Sequence, residues 1–193
     1  GGVSSCMIID PARDPDIYIH AAEEEGFTIT GILKTHLHAD FISGHLDLHE
    51  RTGAPIYAPK SAACEFLHQP VSDGSRFTLD DCKISVIETP GHTPEHVSYI
   101  VTHLSSGNEP VALFSGDTLF VGDVGRPDLF PSRARELAGA LYDSLHEKIM
   151  KLPDHCEVYP AHGAGTFCGR SLSAKRTTTI GYERRFNPAL QIR

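Results

Sequence analysis

Four short strings in this 193-residue chain put imidazole or carboxylate groups where chemistry could begin. His36-Leu37-His38-Ala39-Asp40 follows an apolar run, and His92, Asp117 and His162 follow others, in Pro90-Gly91-His92-Thr93, Ser115-Gly116-Asp117-Thr118 and Tyr159-Pro160-Ala161-His162. Extended backbone sends alternate side chains to the same side, so His36, His38 and Asp40 can converge on one point. Neutral imidazole nitrogen and carboxylate oxygen suit zinc and non-haem iron, and ligands carried on separate strand ends are held rigidly by the sheets behind them. A lone H-x-H is a weak sign. Four strand ends offering ligands together point to a metal centre.

A centre of this kind needs a scaffold whose strands end at one place. The pattern predicts a short strand over 6–9, then a helix over 15–25 capped by Asp14, with Pro15 at its first position and Gly26 just past its end. A buried strand over 28–34 stops at Thr35-His36. A helix over 44–52 is closed by Gly53, a strand covers 56–58, and Ser61 caps a short helix through Leu67. Residues 76–79 and 82–88 form a hairpin through Asp80-Asp81. A second antiparallel pair, 96–103 and 111–115, flanks the turn-rich segment 105–110. Leu137, Leu141, Leu145 and Ile149 share one face of a long helix. A closing strand over 156–159 and a final helix over 178–185 complete a single mixed α/β domain over 1–193; segment 163–177 carries little signal.

Composition narrows the function classes. The chain has 17 Lys+Arg against 25 Asp+Glu, a net charge of −8 with 12 neutral histidines, and 40% apolar residues. That balance offers no electrostatic footprint for a phosphate backbone, so nucleic acid is not expected as a partner. No run approaches the length of a membrane span and no signal segment opens the chain, so a cytoplasmic location is expected. Cys6, Cys64, Cys82, Cys156 and Cys168 are odd in number with no C-x-x-C pair, which speaks against a disulfide framework or a structural zinc ribbon. The chain opens Gly1-Gly2-Val3 without methionine and runs at once into an apolar stretch, which predicts that a preceding segment has been left out.

From Asp10 to about Leu190 the strings resemble the metallo-β-lactamase superfamily, whose pattern is H-x-H-x-D-H followed by a histidine, an aspartate and a histidine. The resemblance implies an αββα sandwich of two mixed β-sheets flanked by helices, here without the usual first strand, with metal at one edge between the sheets. It also implies one site of His36, His38 and His92, a second of Asp40, the residue after it and His162, and Asp117 as a bridge. The residue after Asp40 is Phe41, which cannot bind a metal. A second site therefore loses a ligand; His45, four residues on, would substitute only if the loop-to-helix geometry brought it back, so a mononuclear centre is expected.

Within the superfamily the chain is similar to the persulfide dioxygenases, the ethylmalonic encephalopathy protein and its bacterial relatives. The strings that carry this are Thr35-His36-Leu37-His38-Ala39-Asp40, Pro90-Gly91-His92-Thr93-Pro94, Gly125-Arg126-Pro127-Asp128, Leu145-His146-Glu147-Lys148-Ile149 and Tyr159-Pro160-Ala161-His162. Ala39-Asp40-Phe41-Ile42-Ser43-Gly44-His45 and Gly163-Ala164-Gly165-Thr166-Phe167-Cys168-Gly169 resemble the rhodanese-fused bacterial branch; no rhodanese domain lies in these residues, so the expectation is either a C-terminal rhodanese domain removed with the rest of a longer protein or a member that lacks one. The resemblance implies one Fe(2+) per chain, with zinc as the alternative, held by His36, His92 and Asp117 as a facial triad. His38, Asp40, Asp128 and His162 would orient ligands or water from behind, with Asp40 and His162 taking part in catalysis. Arg126 matches the position that contacts the carboxylate of the thiol carrier; its alternative is a surface pair with Asp123 or Asp128. Cys168 would accept or relay sulfur, or else be a buried inert thiol. Tyr182 would line the pocket, or be an ordinary core or surface tyrosine. The remaining histidines, His96 among them, read as solvated or structural.

The expected activity is oxidation of a low-molecular-weight thiol persulfide, of glutathione or coenzyme A, by O2 to sulfite and thiol. Two rivals stand beside it: a glyoxalase II-like dizinc thioester hydrolase, opposed by Phe41, and a non-catalytic module that relays sulfur for a sulfurtransferase partner. A homodimer is the default assembly.

Overall fold

The computed structural model describes residues 2–163, 165, 166, 168 and 174–191. Ala164, Phe167 and Gly169 of the glycine-rich string lie outside the described residues.

Two sheets carry the molecule. The first joins β1 (Ser5–Ile9), β2 (Thr28–Leu33), β3 (Ile56–Pro59) and β4 (Gln69–Val71) in that order, all parallel. The second has the order β10-β9-β8-β7-β6-β5, from β5 (Arg76–Leu79), β6 (Cys82–Glu88), β7 (Val97–His103), β8 (Pro110–Gly116), β9 (Glu157–Pro160) and β10 (Thr178–Thr179). The helix-flanked, two-sheet α/β class expected from the sequence is the one observed; within it the smaller sheet is wholly parallel and only the larger is mixed. Helices α1 (Asp16–Glu24) and α2 (His45–Thr52) make the crossovers of the parallel sheet. Helices α3 (Ala134–Asp143) and α4 (Ile180–Phe186) follow the larger sheet.

Among the described residues, three apolar clusters define the layers. Ala22 of α1 and Leu48 of α2 pack with Ile29, Ile32 and Ile56 on the outer face of the parallel sheet. Leu33 and Val71 meet Ile84, Val86, Val97 and Tyr99 between the sheets. Leu141, Leu145, Ile149 and Ile180 cover Leu113 and Val158 on the far side. Each strand thus alternates its apolar side chains toward a layer that removes them from water, roughly 1.5–3 kcal/mol for each large side chain buried.

Local departures from the sequence pattern have physical reasons. Pro15, rather than Asp14, is the cap residue of α1, and Asp14 Oδ1 accepts from the N–H of Asp16. The helix expected from Ser61 to Leu67 is a single 3-10 turn, Lys60–Ala62, stopped by Ala63 in the left-handed region at φ 48°. There the chain must reverse quickly to lay β4 beside β3, and Pro70 is tolerated because β4 is an edge strand. The long helix after Ala134 is interrupted by a π turn over Ser144–Lys148. Leu137, Leu141, Leu145 and Ile149 stay buried through it. No helix among the described residues is long and apolar enough to cross a membrane.

Candidate metal centre

β6 and β8 both pair antiparallel with β7, and β9 is parallel to β8, so β6, β8 and β9 run the same way and end at the same edge. The loops leaving them carry His92, Asp117 and His162. The end of β2 is tied to this edge from the other sheet: the Val97 N–H donates to Thr35 O at 2.9 Å, and Tyr99 Oη donates to Lys34 O at 2.8 Å. Two glycines make the approach possible. Gly91 has φ 149° and a Cβ there would lie 2.4 Å from Leu141 Cβ; Gly116 has φ 52° and a Cβ there would lie 2.4 Å from His96 Nε2. The π turn contributes as well, since Ser144 Oγ donates to Pro90 O at 2.8 Å and Lys148 Nζ to Glu88 O at 2.9 Å, pinning the segment that leads into His92.

His36, His92 and Asp117 are almost fully buried and their ligand atoms lie within 4.8 Å of one another. Their hydrogen bonds decide which ring nitrogens are bare. Thr35 Oγ1 gives its proton to Asp10 Oδ2 at 2.6 Å, so it accepts from His36 Nδ1 at 2.8 Å. His92 Nδ1 donates to Arg126 O at 3.1 Å. Both Nε2 atoms are then unprotonated, and burial holds both rings below the usual histidine pKa, hence neutral. They face Asp117 Oδ2 at 3.7 and 3.3 Å. That oxygen is buried and has no hydrogen-bond partner among the described residues. Three lone pairs aimed at one buried point repel unless a cation lies among them, so the residues present fit a metal ion.

Asp117 is itself held from behind. Its N–H donates to His96 Nε2 at 3.0 Å, and the opposite ring nitrogen of His96 meets Thr89 Oγ1 at 2.9 Å. Burial pushes His96 down to about 3, partly offset by the charge of Asp117, which keeps the ring neutral and able to accept. His96 thus belongs with the structural histidines, but its structure is that of the centre.

The second half is arranged differently. His38, Asp40 and His162 form another group within 4.8 Å. His162 lies between two carboxylates, Nδ1 at 2.6 Å from Asp117 Oδ1 and Nε2 at 2.9 Å from Asp40 Oδ2. Burial pulls its pKa down, but the hydrogen bond and charge of Asp117 and the charge of Asp40 prevail, and the net direction is up. Both ring nitrogens of His38 are buried, and its Nε2 lies 3.1 Å from Asp10 Oδ1. The Phe41 ring stands 4.4 Å from the His38 ring and 6.3 Å from that of His162. His45, four residues on, turns into α2 with its ring against Phe66 and joins no ligand group among the described residues.

Other residues singled out in the sequence fall at varied distances from this chemistry. Cys168 is buried, and its Sγ groups with Asp117 and His162 within 4.8 Å. Burial chiefly, with Asp117 adding, pushes its thiol up to about 12. The Arg126 main chain touches the centre on two sides, through His92 and through its N–H to Cys168 O at 3.3 Å. Its guanidinium makes a two-pronged pair with Asp128 at 2.7 and 3.0 Å. A cavity of about 410 Å³ lies beside it, lined by Arg126, Leu141, Tyr142 and His146. Tyr182 is exposed on α4, packed on Phe186 and beneath Lys175.

Sequence reasoning passed over Asp10 and Lys34, and gave His96 no link to the centre. Asp10 follows β1 as Asp117 follows β8, the same strand-end signal, and its left-handed φ of 47° marks a position held against its preference. Its carboxylate takes Thr35 N–H at 2.9 Å besides Thr35 Oγ1 and, in spite of burial, is held below the usual range by His38, Lys34 and Thr35. Burial in turn draws Lys34 below the usual lysine value, with Asp10 acting against it.

Residues 2–162 match the family described as the metallo-beta-lactamase superfamily. A hydroxyacylglutathione hydrolase from Synechococcus sp. (strain WH7803) is 35% identical over 163 residues, covering 82% of this chain and 61% of that protein. The chain spans somewhat more than half the length of the curated relatives it matches. Among solved structures, a metallo-beta-lactamase from Staphylococcus aureus subsp. aureus COL has a TM-score of 0.88 at 41% identity, over 96% of this chain and 56% of that one. ETHE1 from Myxococcus xanthus has a TM-score of 0.80 at 29% identity, over 96% and 74%.

Proposed function

The chain belongs to the metallo-beta-lactamase superfamily, and from that premise we propose that it is a mononuclear, iron-dependent persulfide dioxygenase acting in the cytoplasm. The reaction takes a thiol persulfide, O2 and water to the free thiol, sulfite and two protons. The observation that carries this reading is the inequality of the two halves: His36 and His92 turn bare Nε2 atoms toward a buried oxygen of Asp117, whereas in the group of His38, Asp40 and His162 the His162 ring is already taken up by two carboxylates and the Phe41 ring stands against His38. The sequence strings shared with the persulfide dioxygenases and the likeness to ETHE1 support it.

His36, His92 and Asp117 would hold the ion. Iron, when bound, supplies the redox chemistry that lets O2 react with a sulfur nucleophile, which redox-inert zinc does not. The chain's own groups do the rest. His162, hydrogen-bonded to Asp117 and Asp40, stores a proton beside the reacting sulfur and returns it to the departing thiol. Cys168, kept as a neutral thiol, walls the site without competing as a nucleophile, which weighs against a sulfur relay. Arg126 meets the carrier's carboxylate with the guanidinium N–H groups that Asp128 leaves free.

The test is oxygen uptake by anaerobically ferrous-loaded protein given glutathione persulfide or coenzyme A persulfide, with sulfite quantified at the end. One sulfite per O2 is the expected result and ranks the two carriers. A second reading, a thioester hydrolase, is favoured by the names of the curated relatives. Hydrolysis of a hydroxyacylglutathione by zinc-loaded protein, with no oxygen uptake by the iron-loaded form, would decide for it.

A further inference from the structure

Among the described residues, one group of potential metal ligands stands apart from the centre: Asp81, Cys82 and His103, whose ligand atoms lie within 4.8 Å of one another. It sits at the opposite end of the larger sheet. β6 runs from Cys82 to Glu88 and His92 follows its far end, so the length of the strand, roughly 20 Å at about 3.3 Å per residue, separates the two places. Cys82 and His103 are directly paired residues of β6 and β7, so their side chains leave the same face, and Asp81 closes the turn from β5. That turn is fixed from outside the group. Asp80 Oδ2 accepts the N–H groups of Ser4 and Ser5 at 2.9 and 3.1 Å, and Asp81 O accepts the Leu104 N–H at 2.8 Å.

The donor atoms face one another. His103 Nε2 lies 2.9 Å from Asp81 Oδ2, and Cys82 Sγ lies 3.7 Å from Asp81 Oδ1. Ser105 Oγ gives its proton to Asp81 Oδ2 at 3.4 Å, so it accepts from His103 Nδ1 at 3.0 Å, with Ser106 Oγ 2.9 Å from the same nitrogen. The serines thus take Nδ1 and leave Nε2 for the group. Zinc bonds of about 2.3 Å to sulfur and about 2.0–2.1 Å to nitrogen or oxygen place tetrahedral ligand atoms roughly 3.3–3.5 Å apart, a spacing that the two observed separations bracket. Burial first, and then Asp81, hold the Cys82 thiol above the usual cysteine value, so a cation entering here displaces the thiol proton to water. Asp81 and His103 are partly exposed, which gives an ion its way in.

We propose that Asp81, Cys82 and His103 form a second metal site, independent of the centre, that takes one zinc ion with its fourth position open to water. Thiolate, imidazole and carboxylate together select such an ion over calcium or magnesium, which take oxygen ligands. The ion ties the β5–β6 turn to the end of β7, whatever metal the centre holds.

Cobalt(II), titrated anaerobically into metal-free protein, tests this, because cobalt bound to thiolate gives an intense near-ultraviolet charge-transfer band that imidazole and carboxylate ligands do not. The wild type should develop the band to one thiolate-bound cobalt per chain. Cys82→Ser should abolish it, and Cys168→Ser, which removes the thiol beside the centre, should leave it in place. Zinc added to the cobalt-loaded protein erases the band, and the concentration required gives the zinc affinity of this site alone. That affinity should fall at least about tenfold in His103→Gln, a loss that even a group behind a metal ligand can cause. No band in the wild type, a band that persists in Cys82→Ser or vanishes in Cys168→Ser, or a smaller loss in His103→Gln each overturns the assignment. If Cys82→Ser fails to fold, His103→Gln, a change at a partly exposed side chain, decides together with Cys168→Ser.

Discussion

The two halves of the centre are built from the same residue types and behave oppositely. His36 and His92 are neutral, each with Nδ1 given to an oxygen behind it and Nε2 bare toward an unpartnered carboxylate oxygen. His162 has a carboxylate on each side, and these draw its pKa upward, with the Phe41 ring close by. The first half turns bare lone pairs toward one point; in the second the carboxylates favour a proton on the ring between them. What makes histidines into ligands is therefore less their spacing than the acceptors behind them, because those choose the tautomer and leave a lone pair facing inward.

The contrast can be broken hardest at Asp117. Asp117→Ala should lower metal affinity by more than ~100-fold, read by elemental analysis after desalting. A variant that kept its ion would take Asp117 out of the ligand set. Next in size is His96→Leu, which leaves the buried Asp117 N–H without an acceptor. Chemical unfolding should show a loss of about 1–3 kcal/mol, with metal affinity down by roughly 10–100-fold. Asp40→Asn should separate the halves: bound metal stays within about threefold of wild type, while turnover falls on the order of tenfold or more. Loss of metal along with turnover would join Asp40 to the first half.

Protonation sharpens the same comparison. For a histidine held low, the unfolded chain binds more protons between the folded value and about 6.5, so its contribution to stability is complete above that pH and is lost on acidification. His96, at about 3, behaves this way. His162, raised, does the reverse: its contribution is complete below about 6.5 and is lost as pH rises through its folded value. Ring resonances of metal-free protein followed by NMR should show His96 neutral at pH 5 and His162 titrating above free histidine. Coincident titrations would remove the distinction. The smallest effect is expected at Tyr182, exposed and packed only on neighbours of its own surface: Tyr182→Ala should stay within about 0.5 kcal/mol with an unchanged KM. A raised KM would bring Tyr182 into the carrier's binding site.

His36, His92, Asp117 and His162 were legible because each is a rare residue type placed just after an apolar run, and strand ends converge in any fold that stacks its sheets. Phe41 was legible as a departure by its chemistry alone. His96 was not, because its neighbours in sequence say nothing of the Asp117 N–H, and the two are joined only by pairing across the sheet. Lys34 reads as an ordinary polar end to a strand until the loop bearing Phe41 and Ser43 folds over it. The π turn and its hold on Pro90 were invisible for a related reason: an apolar stripe at helical spacing survives one widened turn.

By itself the sequence determined which elements form, which of their faces are apolar, and which residue types arrive at the shared edge, since those follow from local periodicity and side-chain chemistry. Only the tertiary structure decided which nitrogen of each imidazole is bare, which carboxylate oxygen lacks a partner and where a buried ammonium stands. Those are properties of contacts between segments far apart in the chain, made in a dry interior where each unpaired charge or lone pair must be answered by another group.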